Sequence, residues 1–123
     1  MSVPQTVTVH TRDHGSVTIA EPAWCLGVHV AGGFRADIEH AGEDVELLVD
    51  TARGQARLLT ACVSERPFSP TDTSVFVAVE LGCDWHPFSS ETLADLVDQL
   101  VIHALGTLRP LVRKLRALEG EAP

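Results

Sequence analysis

The sequence predicts an α+β fold, in which a meander of five or six antiparallel strands is covered by one long C-terminal helix. Segments that alternate apolar and polar residues, the period of half-buried strands, recur between residues 6 and 81. From residue 89 onward the apolar residues recur every three or four positions, as on one face of a helix. Because the strands come first and the helix last, without a βαβ alternation or a glycine-rich phosphate loop, we expect no parallel nucleotide-binding sheet.

The length of the chain predicts a single domain over residues 1–123. A chain of this size buries roughly two thirds of its unfolded surface, which is enough for a core without disulfides. Only residues 119–123 are expected to form a frayed tail.

Turn-forming residues divide the predicted strands. Residues 6–11 (TVTVHT) and 16–20 (SVTIA) flank the turn RDHG and predict a hairpin. A glycine-containing loop over residues 22–33 follows, and then a short strand over residues 34–40 (FRADIEH). The later strands are predicted at residues 45–50 (VELLVD) and 55–65 (QARLLTACVSE), as a second hairpin, and at residues 74–81 (SVFVAVEL).

The C-terminal helix is predicted to carry a long apolar stripe with a kink near Pro110. Proline lacks the N–H that would bond to the carbonyl of Gly106. A helix of this length overhangs a sheet of short strands. We therefore expect the segment from Leu108 to Leu118 to pack against a second copy of the chain as a homodimer, the alternative being that Pro110 turns it back onto the same domain. The stripe continues beyond Pro110 through Leu111, Val112, Leu115 and Leu118.

Charge and composition exclude several functional classes. The formal net charge is −8, whereas a protein that binds phosphates needs a basic face, so we expect no nucleic-acid or membrane partner. A regulator that contacts DNA is therefore the weakest of our hypotheses. The first residues do not resemble a secretory signal, and no apolar run is long enough to span a bilayer. The three widely spaced cysteines are expected to be free thiols of a cytoplasmic protein.

The loop after the first hairpin contains a candidate metal site. Cys25, His29 and His40 have Cys-x3-His-x10-His spacing, and thiolate and imidazole are ligands that zinc prefers. A loop that buries little apolar surface gains order from a metal ion. We expect His14, in the preceding DHG turn, to be the fourth ligand, with Asp37 or a water molecule as weaker choices.

Other cysteines and histidines offer competing interpretations. Cys83 and His86, in the CDWH segment, could complete a site with Cys25 and His29, although they are more simply turn residues before the helix. Cys25 itself could be an ordinary buried thiol. The remaining candidates are interpreted as structural, namely His10, Cys62 and His103.

The expected function is that of a small zinc-stabilised binding or accessory domain without catalytic residues. The alternative is a metal-dependent, hydrolase-like enzyme with an open zinc position, which needs a general base such as Asp13, Asp37 or Glu39. A nucleophile–base pair of Cys25 and His29 is a further possibility. We disfavour it because the neighbouring proline and glycine argue against the helix that would place the two side chains on one face.

The segments DHG, EPAWCLGVH and DIEHAG, followed by two strands and a helix ending in LRPLVRKL, resemble a family of small actinobacterial proteins. The family is a domain of unknown function, and the resemblance extends from about Thr6 to about Leu118. Its members share a Trp-Cys-x3-His segment and a downstream Asp-x2-His-x-Gly, which implies a metal site. Many members carry an additional cysteine in a Cys-Pro-x-Trp-Cys arrangement, where this chain has Glu21. The resemblance therefore leaves the fourth ligand open between His14, Glu21 and neither.

Overall fold

A computed structural model describes residues 5–121 and confirms the α+β class. The described residues fall into two compact units that divide after Ser89, the first built from strands and the second from the C-terminal helix. The first predicted hairpin is confirmed as β1 (Gln5–Thr11) and β2 (Gly15–Glu21), which pair antiparallel along their whole length in a two-stranded sheet. Because β2 ends at Glu21, this hairpin places that carboxylate at the start of the glycine-containing loop.

The remaining strands form a separate five-stranded sheet, so the meander occupies two sheets rather than one. Neighbouring strands follow the order β3-β5-β6-β7, and β4 also pairs with β5. All of the pairings are antiparallel. The strands are β3 (His40–Ala41), β4 (Val45–Thr51), β5 (Gly54–Glu65), β6 (Phe76–Leu81) and β7 (Asp84–Phe88).

The predicted strand over residues 34–40 is wrong for most of its length. The chain instead forms a 3₁₀ helix at Arg35–Asp37, and only His40 and the following alanine pair with β5. The side chain of Asp13 accepts a hydrogen bond of 2.9 Å from the backbone N–H of Arg35. This long-range contact fixes the start of the turn, and sequence periodicity carries no signal of it.

The sequence does not predict strand β7, because the residues of this strand, DWHPF, include a proline and favour a turn. Pro87 lies opposite Ala78 of β6, and among residues 5–121 no strand other than β6 pairs with β7. β7 is therefore an edge strand, a position in which the missing N–H of a proline is tolerated. Gly82, with φ +66°, makes the tight connection from β6. Cys83 and His86 therefore belong to this hairpin rather than to a lead into the helix.

The described core of the first unit is small. Val9 and Ile19, from the two strands of the first hairpin, pack with Ile38, and all three side chains are less than 9% exposed. Ile38 lies two residues before His40 and immediately follows the 3₁₀ helix. This contact brings the chain around His40 against the end of the hairpin where Glu21 lies.

The second unit is helical from Ser90 through Pro110 to Glu121. It consists of α1 (Ser90–His103), a π-helical segment (Ala104–Leu108) and α2 (Arg109–Glu121). The N–H of Arg109 bonds to the carbonyl of Ala104, so the widened turn lies just before the proline and the chain stays helical. The kink predicted near Pro110 corresponds in position to this π-helical segment. Of the segment predicted to be a frayed tail, residues 119–121 continue α2, and residues 122–123 lie outside the described part of the chain.

Within residues 5–121, none of the helices combines the length and apolar character that crossing a bilayer requires.

Candidate metal centre

Four side chains with metal-binding chemistry converge beside the first hairpin. They are Glu21 at the end of β2, Cys25 and His29 in the loop that follows, and His40 at the start of β3. One carboxylate oxygen, one sulfur and two imidazole nitrogens all lie within 4.8 Å of one another. Such a combination of oxygen, sulfur and nitrogen atoms at one point is a candidate cation site.

Glu21 links the two imidazoles. Its Oε2 lies 2.8 Å from Nε2 of His29, and its Oε1 lies 2.8 Å from Nδ1 of His40. The three side chains are 9%, 5% and 2% exposed, respectively. The two imidazole rings meet edge to face at 5.4 Å, and Trp24 packs edge-on against His40 at 6.4 Å. The nitrogens that would bind a metal are therefore fixed in direction and shielded from solvent.

Cys25 completes the group from a tight turn. Its sulfur lies 4.0 Å from Nε2 of His29 and accepts a hydrogen bond of 3.3 Å from the backbone N–H of Gly27. Gly27 has φ +79°, a left-handed conformation that side chains disfavour, and this conformation allows its N–H to point back at the sulfur. The adjacent Leu26 donates its N–H to the carbonyl of Ala41 at 2.9 Å, which ties the turn to β3.

The electrostatics of the group favour a bound cation. Burial raises the pKa of the Cys25 thiol, and the hydrogen bond and negative charge of Glu21 raise it further, against the lowering effect of the Gly27 and Ala41 amides. Burial opposes ionisation of Glu21 as well, but hydrogen bonds with Cys25, His29 and His40 outweigh it and lower the pKa of this carboxyl. A thiol beside an ionised carboxylate gives up its proton readily only when a positive charge lies between them.

The dimensions of the group can be compared with those of a tetrahedral metal site. Zinc bonds of about 2.0–2.3 Å at tetrahedral angles separate neighbouring donor atoms by about 3.3–3.6 Å. The observed separations of 2.8 Å between Glu21 and each imidazole and 4.0 Å between Cys25 and His29 lie on either side of this range. These three contacts therefore differ from tetrahedral spacing by about half an ångström each.

The structure brings together three of the four residues that the sequence singled out, and His14 is not among them. His14 lies in the turn between β1 and β2, where its Nδ1 pairs with Oδ2 of Asp13 at 2.9 Å and its side chain is 48% exposed. Among residues 5–121, the convergent group includes neither Asp37 nor the pair of Cys83 and His86. Glu21 takes the place expected for His14.

The feature of the sequence that points to Glu21 is its position. It stands where the resemblance places an extra cysteine, and it precedes Cys25 by the same four positions that separate Cys25 from His29. Of the residues interpreted as structural, the half-buried Cys62 contacts Oγ of Ser64 at 3.6 Å, and His103 contacts Thr107 within the helix. Neither of them, nor the exposed His10, belongs to the convergent group.

Two cavities adjoin the group. One, of about 390 Å³, has His29 in its wall, and the other, of about 480 Å³, has Glu21 and His40 in its wall.

Comparison with known proteins gives a family but no characterised relative. No curated protein and no solved structure matches the chain significantly. A family model matches residues 6–117, which include all of the strands except Gln5 of β1, the four convergent side chains and most of the C-terminal helix. The chain belongs to the family described as a domain of unknown function, DUF6907.

Proposed function

We propose that Glu21, Cys25, His29 and His40 hold one zinc ion and that the protein is a small metal-stabilised binding or accessory domain. The observation that carries this proposal is the convergence of four donor atoms within 4.8 Å in a largely buried place. A carboxylate and a thiol side by side repel each other when both are ionised, and a divalent cation between them removes that repulsion.

Zinc is the metal that this donor set suits best. A thiolate with two imidazoles favours zinc over magnesium or calcium, which prefer oxygen ligands. Thiolate and carboxylate together carry two negative charges, which balance a divalent ion and leave the buried centre neutral. This balance supports a resident ion in a site that is closed to most solvent.

A structural role fits the ligand count better than catalysis. Four protein ligands fill a tetrahedral sphere, whereas catalytic zinc keeps one position for water. Asp13, one of the bases considered for a hydrolase, instead accepts the N–H of Arg35 and pairs with His14. The ion would join β2, the loop and β3 at one point, and so supply folding energy.

Metal analysis of the untagged protein, purified without chelator, tests this function. We expect about one zinc per chain by mass spectrometry, and loss of that zinc in a Cys25→Ala variant. The matched control is Cys83→Ala, which changes an exposed thiol outside the group and should retain the full metal content. A wild-type protein without stoichiometric metal, or equal metal loss in the two variants, would refute the proposal.

A further inference from the structure

The loop that carries Cys25 and His29 also exposes several apolar side chains. Leu26, Val28 and Val30 are direct sequence neighbours of Cys25 or His29, and they are 62%, 78% and 84% exposed. Exposed apolar side chains this close together mark an interface more often than a free surface. The loop is thus held by Cys25 and His29 of the convergent group, whereas its three apolar side chains stay largely exposed in the described part of the chain.

The same loop borders an apolar cavity with an acidic lining. The cavity of about 390 Å³ has the buried Val9 and Ile38 in its wall, together with Val28, Val30 and His29. Asp37 and Glu39 also line it, and the carboxylate of Glu39 lies 3.5 Å from the guanidinium of Arg66. The unit that contains it, residues 1–89, has twelve acidic and five basic residues. A suitable occupant therefore presents apolar side chains flanked by positive charge.

The C-terminal helix has those properties. Leu108, Leu111, Leu115 and Leu118 are each 52–60% exposed, and none of the residues of α2, all of which are described, is buried. At 100° per residue these leucines and Val112 form one stripe, which Lys114 borders on one side and Arg116 on the other.

We propose that the stripe from Leu108 to Leu118 of one molecule docks on the metal loop and cavity of a second copy, with Lys114 and Arg116 facing Asp37 and Glu39. In a two-fold dimer the contact occurs twice, because each molecule contributes one helix and one loop. The proposal rests on the metal-binding function above, since the ion holds the loop in its docking conformation. It assigns a partner, a second chain, to that site.

Sedimentation of the full-length zinc-loaded chain tests the docking. We expect a dimer for the wild type and a dissociation constant at least tenfold higher for Leu111→Glu/Leu115→Glu. Val28→Glu/Val30→Glu should weaken the dimer by the same factor while keeping one zinc per chain and the wild-type circular dichroism spectrum. The controls carry the same change at equally exposed apolar residues elsewhere, namely Val101→Glu/Ile102→Glu on the helix and Val45→Glu/Leu58→Glu on the sheet. Both controls should remain dimeric.

Mixing the two defective proteins shows whether helix and loop meet. A helix variant and a loop variant each keep one intact surface. A mixture can therefore form one of the two contacts, and its heterodimer should be tighter than the homodimer of either variant. The charge pairing is tested by Asp37→Arg, which should weaken the dimer, and by its combination with Arg116→Glu, which should restore part of the affinity.

Three results would overturn the docking: a monomeric wild type, a loop variant that dimerises like the wild type, or a mixture that forms no heterodimer. Failure of the metal proposal is separate, because it shows as absent zinc whatever the oligomeric state. A zinc-loaded protein whose dimer survives the loop changes refutes only the docking, and a dimer without zinc that responds to them refutes only the metal function.

Discussion

Nδ1 of His40 lies 2.8 Å from Oε1 of Glu21, although the two residues are 19 positions apart, and their side chains are only 2% and 9% exposed. A buried carboxylate that contacts two imidazoles needs the positive charge of those imidazoles or of a metal. This contact makes Glu21 the residue on which the candidate site depends most, and the predictions below begin with it.

Replacing Glu21 by alanine is expected to reduce zinc affinity at least about 100-fold, because a charged ligand is lost and both imidazoles lose the group that orients them. Competition with a chromophoric chelator measures the change. The matched change His14→Ala should leave the affinity within about twofold, since His14 pairs with Asp13 at the surface. A larger loss of zinc affinity in His14→Ala than in Glu21→Ala would instead indicate His14 as the fourth ligand.

Zinc binding is expected to release a proton near neutral pH. The raised pKa of Cys25 keeps the thiol protonated in the metal-free protein, whereas a zinc-bound sulfur is a thiolate. Affinity should therefore fall about tenfold for each pH unit of acidification per proton released. Calorimetry in two buffers of different ionisation enthalpy counts the protons. A binding enthalpy that does not depend on the buffer would contradict this assignment of the sulfur.

The metal-free protein should lose stability in acid through Glu21. Its carboxyl has a lowered pKa in the folded protein, so its stabilising contribution is complete above the ordinary pKa of a glutamate and is lost as the pH falls through the lowered value. Urea denaturation of the chelated protein at several pH values measures this loss. In Glu21→Gln the free energy of unfolding should depend less on pH in the acid range. An unchanged pH dependence would assign the acid sensitivity to other groups.

Removing the metal is expected to lower the melting temperature by about 10 °C or more. A ligand at 1,000 times its dissociation constant stabilises the folded state by about 4 kcal/mol. One kcal/mol corresponds to about 2–8 °C for domains between roughly 60 and 250 residues. Calorimetry with and without chelator gives the shift, and Cys25→Ala should melt like the chelated wild type. A melting temperature that survives proven loss of the ion would argue for a non-structural site.

Gly27→Ala is expected to weaken zinc binding about 5- to 30-fold. Its φ of +79° costs a side chain about 1–2 kcal/mol, and relaxing that strain moves the N–H that points at Cys25. Gly33→Ala is the matched control in the same loop, because Gly33 lacks a positive φ and an added Cβ there meets open space. Equal effects of the two changes would show that loop flexibility, rather than the turn at the sulfur, controls affinity.

The sequence by itself determined the class of the fold and most of the site. Alternation over the first hairpin and helical periodicity from residue 90 are local properties of consecutive residues, so the two strands of that hairpin and the C-terminal helix are predicted close to their observed bounds. The sequence predicts that Cys25, His29 and His40 come together, because metal-binding side chains are few in kind and commonly closely spaced, and the structure brings the three together.

Tertiary structure alone decided the fourth member of the group and the path that leads to it. His14 and Glu21 are both close to Cys25 in sequence, but they lie at opposite ends of β2, a strand seven residues long. Only the end at Glu21 meets His40, since Ile38 packs against the hairpin core and Asp13 holds Arg35 in a 3₁₀ turn where alternation predicted a strand. Such contacts join residues 19 to 29 positions apart, and local sequence patterns do not encode which end of a strand the returning chain will reach.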